Sequence, residues 1–146
     1  MNILLVSEDE LMINQLSNVF ADEADLESVT YRELRTEFDR LEPDLVFIVQ
    51  TEDEGACVDA IEYCIGENPA SVVVFIATYQ DFNLLRTVTR AGAMDFFIFP
   101  DEWTLFNGRV DSILHMVRER KKQLIETSAT NQSLKRGRGQ NFSFYS

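Results

Sequence analysis

Residues 91–100 read AGAMDFFIFP, and this stretch decides the fold more than any other part of the sequence. The Ala91-Gly92 pair is typical of a helix end, because glycine readily adopts the backbone conformation that closes a helix. The apolar run Phe96–Phe99 that follows is short and rich in aromatic residues, which predicts a buried strand. The stretch therefore indicates a helix that turns directly into a strand.

The same two patterns alternate along most of the chain. Between the apolar runs lie five segments with apolar residues at helical spacing, the last of them continuing to about Ile125. Five strands that alternate with five helices predict an α/β fold of three layers, a parallel sheet with helices on both faces. The other predicted strands are Asn2–Val6, Leu45–Val49, Val72–Ile76 and, more weakly, Leu26–Thr30.

The composition limits what such a domain can do. The chain has 146 residues, 45% of them apolar, and no apolar run approaches the ~18 residues of a membrane span. Residues 1–111 carry 23 acidic and 6 basic side chains, a net charge of −17, which argues against nucleic acid as a partner. The N-terminus lacks the basic region of a signal peptide. We therefore predict a cytoplasmic protein without direct membrane insertion.

The two cysteines and the single histidine give no sign of a reactive site. Cys57 and Cys64 are seven residues apart, which is two helical turns and not the spacing of a redox or zinc motif. We interpret them as small apolar side chains on the buried face of a helix. His115 lies in the last helical segment without a nucleophile nearby in sequence, and we expect a surface or half-buried position.

These patterns resemble the receiver domains of two-component response regulators over about residues 1–120. The resemblance rests on Ile3–Val6 running into acidic residues, on residues 43–48 (PDLVFI), and above all on residues 91–100. It implies a CheY-like, flavodoxin-like fold. In receivers, an aspartate at the end of the third strand accepts a phosphoryl group, and acids after the first strand help to hold Mg²⁺. A lysine that ends the fifth strand pairs with the phosphoryl charge.

Carried over residue by residue, the resemblance implies a site that has lost this chemistry. The phosphoacceptor position falls on Val49 and the lysine position on Phe99, and no lysine precedes Lys121. Apolar groups beside a phosphoryl dianion would make its desolvation costly, so we predict a pseudo-receiver that is not an enzyme and uses no cofactor. The remaining degenerate positions are Ser7 and Glu8 (or Glu8 and Asp9 after a one-residue shift) for the acid pair, and Ala77 or the adjacent Thr78 for the switch.

Acidic residues follow the first and third predicted strands, at the sheet edge where α/β proteins bind ligands. Glu8, Asp9, Glu52 and Asp53 are therefore weak candidates for an Mg²⁺ or Ca²⁺ site. They do not form a full set of ligands, and acidic residues at helix N-termini are also explained by the helix dipole. We expect no metal site.

The C-terminal part departs from the receiver pattern. We predict a receiver-like domain at residues 1–125 and a basic, flexible linker at 126–140. Residues 141–146 (NFSFYS) resemble the first strand of a MinD/ParA-type ATPase, whose phosphate loop is not in this sequence. The order of atypical receiver, linker and ATPase resembles the TadZ/CpaE-type pilus-assembly ATPases, and implies a truncated ATPase domain.

This resemblance implies a bacterial protein-interaction domain that localises or dimerises an ATPase. Receivers commonly signal through the face of the fourth helix, fifth strand and fifth helix. We expect Phe96, Trp103, Phe106 and Val110 to contribute to that face, and a homodimer to form through it. Two alternatives stay open, namely phosphorylation at a non-standard acid such as Asp53 or Glu52, and a cation or small-ligand sensor at the carboxyl edge of the sheet.

Overall fold

The computed structural model describes the backbone of residues 1–138 and the side chains of residues 1–123. Strands and helices alternate strictly, and all five strands are parallel, in the spatial order β2-β1-β3-β4-β5. The predicted five-stranded parallel sheet with helices on both faces is confirmed. The elements are β1 (Asn2–Val6), α1 (Glu10–Val19), β2 (Asp25–Val29), α2 (Leu34–Leu41), β3 (Leu45–Val49), α3 (Glu54–Glu67), β4 (Val72–Ala77), α4 (Phe82–Ala91), β5 (Asp95–Ile98) and α5 (Trp103–Arg138).

Burial along the strands follows their place in the sheet. Every residue of β3 and β4 is buried, because helices cover both faces of the sheet at its centre. β2 lies at an edge and exposes Asp25, Glu27 and Ser28, which explains why its apolar pattern is the weakest of the five. The predicted strand bounds are right to within one residue.

Side chains on the two faces of the sheet form separate cores. The face covered by α1 and α5 is rich in aromatic rings, with Phe106 at 5.2 Å from Phe97 and 5.3 Å from Phe99 between ring centroids. The face covered by α2, α3 and α4 contains Cys57 and Cys64, both fully buried and free, as predicted. Burial raises the pKa of the Cys64 thiol to about 12. Both thiols therefore belong to the packing of the domain.

The turn from α4 into β5 shows why this part of the sequence is so informative. Gly92 has φ 126°, a conformation that residues with a Cβ rarely adopt. The Ala93 amide donates to the carbonyl of Val88 at 3.0 Å and so closes the helix. A Cβ on Gly92 would lie 2.1 Å from Cδ1 of Ile65 in α3. The backbone angle thus favours glycine, and a Cβ would also force the end of the Ile65 side chain to move.

The last helix is longer than predicted. α5 continues through Arg138, so the segment predicted as a flexible linker is helical over residues 126–138. Glutamate, glutamine, leucine, lysine and arginine in this segment favour a helix, and no glycine interrupts it before Gly137. Lys121 forms an ion pair with Asp44 at 3.4 Å, which ties α5 to the amino edge of the sheet. The division into domains stays a prediction, and residues 141–146 lie outside the described part.

Two smaller findings complete the description. His115 is exposed on α5, as predicted, and lies 3.9 Å from a carboxylate oxygen of Glu119. Within the part of the chain that the structure describes, no helix combines the length and apolar character needed to cross a membrane.

Candidate functional site at the carboxyl edge of the sheet

The predicted phosphoacceptor, switch and lysine positions lie together at the carboxyl ends of β3, β4 and β5. Val49 ends β3 and is in register with Ile76 of β4. Phe99 follows β5, and its amide donates to the carbonyl of Ala77 at 2.8 Å. Val49 and Phe99 are each 5% exposed and Ala77 is fully buried. Apolar side chains therefore fill the positions that the receiver resemblance predicts for the nucleophile and the cation.

At the predicted acid-pair positions after β1, two side chains accept hydrogen bonds from backbone amides. Ser7 is buried, and its hydroxyl accepts from the Asp9 amide at 3.1 Å. Asp9 is the N-cap of α1, and its Oδ1 accepts from the amides of Leu11 at 3.0 Å and Met12 at 3.4 Å. Glu8 is exposed. One carboxylate of the pair is thus a helix cap and the other faces solvent.

The acids after β3 are arranged in the same way. Asp53 is the N-cap of α3 and accepts from the Ala56 amide at 3.1 Å, whereas Glu52 is exposed. Among the described residues, no group of three or more acidic, histidine or cysteine side chains is close enough to hold a metal ion. The geometry of Asp9 and Asp53 is accounted for by helix capping.

Gln50 holds this edge together through hydrogen bonds, and no pattern in the sequence indicated this role. Gln50 directly follows Val49 and is 8% exposed. Its Oε1 accepts from the Thr78 amide at 2.7 Å, the Thr78 hydroxyl at 3.3 Å and the Tyr79 amide at 3.4 Å. Its Nε2 is buried without a hydrogen-bond partner in the described part of the chain. One side chain thus fixes the β4–α4 loop to the end of β3.

Tyr31 provides a hydrogen-bond donor for the backbone carbonyl of Val49. Its hydroxyl donates to the Val49 carbonyl and lies 3.5 Å from Sγ of Cys57. Burial, and secondarily the hydrogen bond with Cys57, raise the pKa of Tyr31 above its usual value. The phenol therefore stays protonated as a donor. A tyrosine just after β2 is separated from Val49 by 18 residues, so the sequence alone gives no hint of this contact.

A pocket of about 320 Å³ lies beside Phe99. Its walls come from the start of α1, the loop after β4 and the connection from β5 to α5. The lining residues are Asp9, Leu11, Met12, Gln15, Thr78, Phe99, Pro100 and Trp103. The Trp103 and Phe99 rings meet edge to face with centroids 5.1 Å apart. This volume is at the lower end of the range of small-molecule sites, roughly 300–1,000 Å³.

The predicted contact face needs correction. Phe106 is fully buried and Val110 is 9% exposed, because the apolar stripe of α5 faces the sheet. The prediction that these two residues contact a partner is therefore wrong. Phe96 and Trp103 are partly buried, and both pack against the cores.

Other side chains of the same face are accessible. Leu105 and Met116 on α5 are each 45% exposed, and Phe82 at the start of α4 is 73% exposed. Arg109 of α5 pairs with Asp95 of β5 at 3.4 Å. The accessible apolar part of the α4–β5–α5 face is thus formed by Leu105, Met116 and Phe82, none of which was a predicted contact residue.

Comparison with solved structures places the chain in a fold class. A response regulator from Thermotoga maritima is 24% identical, with a TM-score of 0.69, over 77% of this chain and 96% of that chain. No protein-family model and no curated protein matches the sequence. The chain has the CheY-like, flavodoxin-like fold of receiver domains.

Among the structural neighbours are proteins with names from pilus assembly. A CheY-like protein (tadZ) from Pseudomonas aeruginosa PAO1 is 22% identical, with a TM-score of 0.60, over 75% of this chain and 91% of that chain. A protein assigned to pilus assembly (cpaE) from Burkholderia thailandensis is 21% identical, with a TM-score of 0.67, over 82% of this chain and 98% of that chain. This chain is a receiver-like domain that resembles TadZ and CpaE in fold.

Proposed function

We propose that this chain is a pseudo-receiver that acts through protein contacts and without phosphoryl transfer. The proposal is carried by Val49 and Phe99, two apolar side chains at the positions of the receiver aspartate and lysine. A phosphoryl group at this place would lose its hydration against apolar side chains and would find no lysine to pair with. The acids nearby, Asp9 and Asp53, are engaged as helix caps.

The contacts of Gln50 support a conformation that does not depend on phosphorylation. In receivers, the switch residue moves toward the phosphoryl group. Here the Thr78 amide and hydroxyl are already bound by Gln50 Oε1. Gln50 thus gives the β4–α4 loop a permanent hydrogen-bond acceptor, where receivers have a transient phosphoryl group. The face that includes α4 therefore keeps one conformation.

The partner that we propose for the α4–β5–α5 face is a second copy of the chain. Leu105, Met116 and Phe82 supply exposed apolar area on this face. Together with the resemblance to TadZ and CpaE, this supports a role as the N-terminal, cytoplasmic part of a pilus-assembly ATPase that it dimerises and localises. The six residues that resemble an ATPase strand belong to the same proposal.

Treatment with Mg²⁺ and acetyl phosphate, followed by intact-mass spectrometry, tests the loss of phosphoryl transfer. We expect no phosphoryl adduct, and no change of the amide NMR spectrum with beryllofluoride. An adduct that maps to Asp53 or Glu52 would establish the alternative, a receiver that uses a non-standard acid.

Light scattering coupled to gel filtration tests the homodimer. We expect a dimer that is weakened by Leu105→Ser and by Met116→Ser, because each removes exposed apolar area from the face. Leu11→Ser is the matched control, since Leu11 is 67% exposed but lies on α1. A strict monomer at high protein concentration contradicts the proposal.

A further inference from the structure

The pocket beside Phe99 contains one charged side chain. Asp9 lines it together with apolar and aromatic groups, of which Trp103 and Phe99 are the largest. Its Oδ1 accepts two backbone amides of α1, which leaves Oδ2 free of hydrogen bonds within residues 1–123. Asp9 forms no ion pair in that part of the chain. The pocket therefore presents a carboxylate oxygen beside aromatic rings.

The charge around this pocket decides which ligands it can attract. Residues 1–111 have a net charge of −17, and Glu8 and Glu10, the chain neighbours of Asp9, are exposed as Asp9 is. Such a field repels anions and raises the local concentration of cations. A metal ion lacks its ligand set here, as no suitable group of side chains exists among the described residues. The charge therefore favours an organic cation over an anion or a metal ion.

The aromatic walls of the pocket indicate which kind of organic cation it can bind. A cation is attracted to the face of tryptophan, and guanidinium is planar, stacks on aromatic rings and pairs with carboxylates through two hydrogen bonds. In arginine, the guanidinium is carried by a methylene stem, which matches the apolar lining formed by Leu11 and Met12. An arginine side chain thus suits Asp9, Trp103 and the apolar wall at once.

Exposed apolar residues beside the pocket favour a protein as the source of this side chain. Leu11 lines the pocket and is 67% exposed, and Tyr79, next to the lining residue Thr78, is 51% exposed. A ligand confined to about 320 Å³ would leave these side chains uncovered. A segment with apolar residues on either side of the arginine would cover them.

We propose that this pocket receives an arginine side chain from an apolar-flanked segment of a partner protein. The guanidinium lies between Asp9 Oδ2 and the Trp103 ring, and Leu11 covers the stem. The inference rests on the proposed function, since it assigns a second contact site to an interaction domain. Of the residues expected on the α4–β5–α5 face, only Trp103 also lines the pocket, and the exposed apolar residues Leu105, Met116 and Phe82 do not.

The emission of Trp103 reports on this site directly, because Trp103 is the one tryptophan of the sequence. The probe is the acetylated and amidated pentapeptide Gly-Leu-Arg-Leu-Gly, and its control carries uncharged citrulline in place of arginine. We expect a saturable change of emission with a dissociation constant of about 1 mM or tighter. The citrulline peptide should bind at least about tenfold more weakly. Equal binding of the two peptides overturns the proposal.

Two variants separate the pocket from the general acidity of the sheet edge. Asp9→Asn should weaken binding by about tenfold, whereas Asp53→Asn removes the same charge from another N-cap and should change it by less than about twofold. Asparagine caps helices as well as aspartate does, so both variants should fold. Equal weakening by the two variants, or tight binding of N-acetylarginine amide alone, overturns the assignment to a partner segment.

Light scattering of the same samples keeps this inference separate from the homodimer. A chain that binds the arginine peptide but stays monomeric contradicts the homodimer and leaves the pocket assignment standing. A chain that dimerises but leaves the Trp103 emission unchanged at saturating peptide contradicts the pocket assignment alone.

Discussion

The turn before β5 and the carboxyl edge of the sheet are built from neighbouring residues but meet different demands. At the turn, Gly92 has φ 126° and lies against Ile65, so the backbone itself requires glycine. At the edge, Val49 and Phe99 are buried apolar residues at the positions that the receiver resemblance predicts to be charged. The turn is specified by backbone geometry, whereas the chemistry of the edge depends on which side chains end the strands. Backbone geometry and edge chemistry are thus specified by separate residues, so a fold can persist without its chemistry.

Placing an acid at the predicted acceptor position should have the largest effect on stability. Val49→Asp is expected to lower the free energy of unfolding by about 3–5 kcal/mol at pH 7, because it buries a carboxylate without a cation. Burial favours the protonated form, so the folded pKa of the new carboxyl should rise, and the loss should shrink as the pH falls toward 4. Urea unfolding at several pH values measures both effects. Val49→Asn is the uncharged control and should show no such pH dependence.

Replacing Gly92 in the turn should give the second largest loss of stability. Gly92→Ala is expected to destabilise the domain by about 2 kcal/mol, because alanine at φ 126° is strained and Ile65 must move. The control is Gly66→Ala near the end of α3, where a Cβ meets open space. It should be neutral or stabilise by up to about 1 kcal/mol. If thermal unfolding gives the same shift for both variants, the turn has no special need for glycine.

Cutting the contact between β3 and the β4–α4 loop should have a smaller effect. Gln50→Ala is expected to cost about 1–2 kcal/mol, as three hydrogen bonds are lost while the unpartnered Nε2 is also removed. Hydrogen exchange at the Thr78 and Tyr79 amides should become faster. Gln80→Ala, exposed in the same loop, should leave exchange at these amides unchanged. Unaltered exchange in Gln50→Ala contradicts the idea of a permanently held loop.

Removing the hydrogen bond from Tyr31 to the Val49 carbonyl should give the smallest loss of stability. Tyr31→Phe should cost about 1 kcal/mol by removing one hydrogen bond. Because burial raises the folded pKa of Tyr31, its contribution is complete below pH 10 and is lost as the pH rises further. The variant should therefore lose less stability than the parent chain above pH 10. Tyr79→Phe is the exposed control, and an alkaline profile of Tyr31→Phe that matches the parent contradicts this role.

Most of the fold could be predicted from residue patterns because the patterns have local causes. The strands β1, β3, β4 and β5 are apolar since helices cover both of their faces, and the Gly92 turn carries its own signature. The end of α5 was mispredicted, because the turn-prone Ser, Thr and Asn residues of this segment were given more weight than the Glu, Gln, Leu, Lys and Arg that suit a helix. Phe106 and Val110 were misplaced for a related reason, since an apolar helical stripe indicates burial and not contact with a partner.

The candidate site was less accessible to sequence reasoning. Val49, Ala77 and Phe99 could be located through the receiver resemblance, and the structure does bring them together. The roles of Gln50 and Tyr31 depend on contacts across 28 and 18 residues of sequence, which no local pattern reveals. The pocket takes its walls from three separate segments, and its volume exists only after they pack.

The length of α5 makes its second half a spacer. At 1.5 Å per residue, the 36 residues from Trp103 to Arg138 span about 54 Å. Trp103, at one end, forms part of the pocket wall, and Lys121, midway along, is tied to Asp44. Between these two points Phe106, Ile113, Leu114 and Val117 are buried against the sheet and fix the direction of the helix axis. Residues 122–138 continue that axis for about 26 Å, so the second half of α5 is a spacer whose length is set by its number of residues.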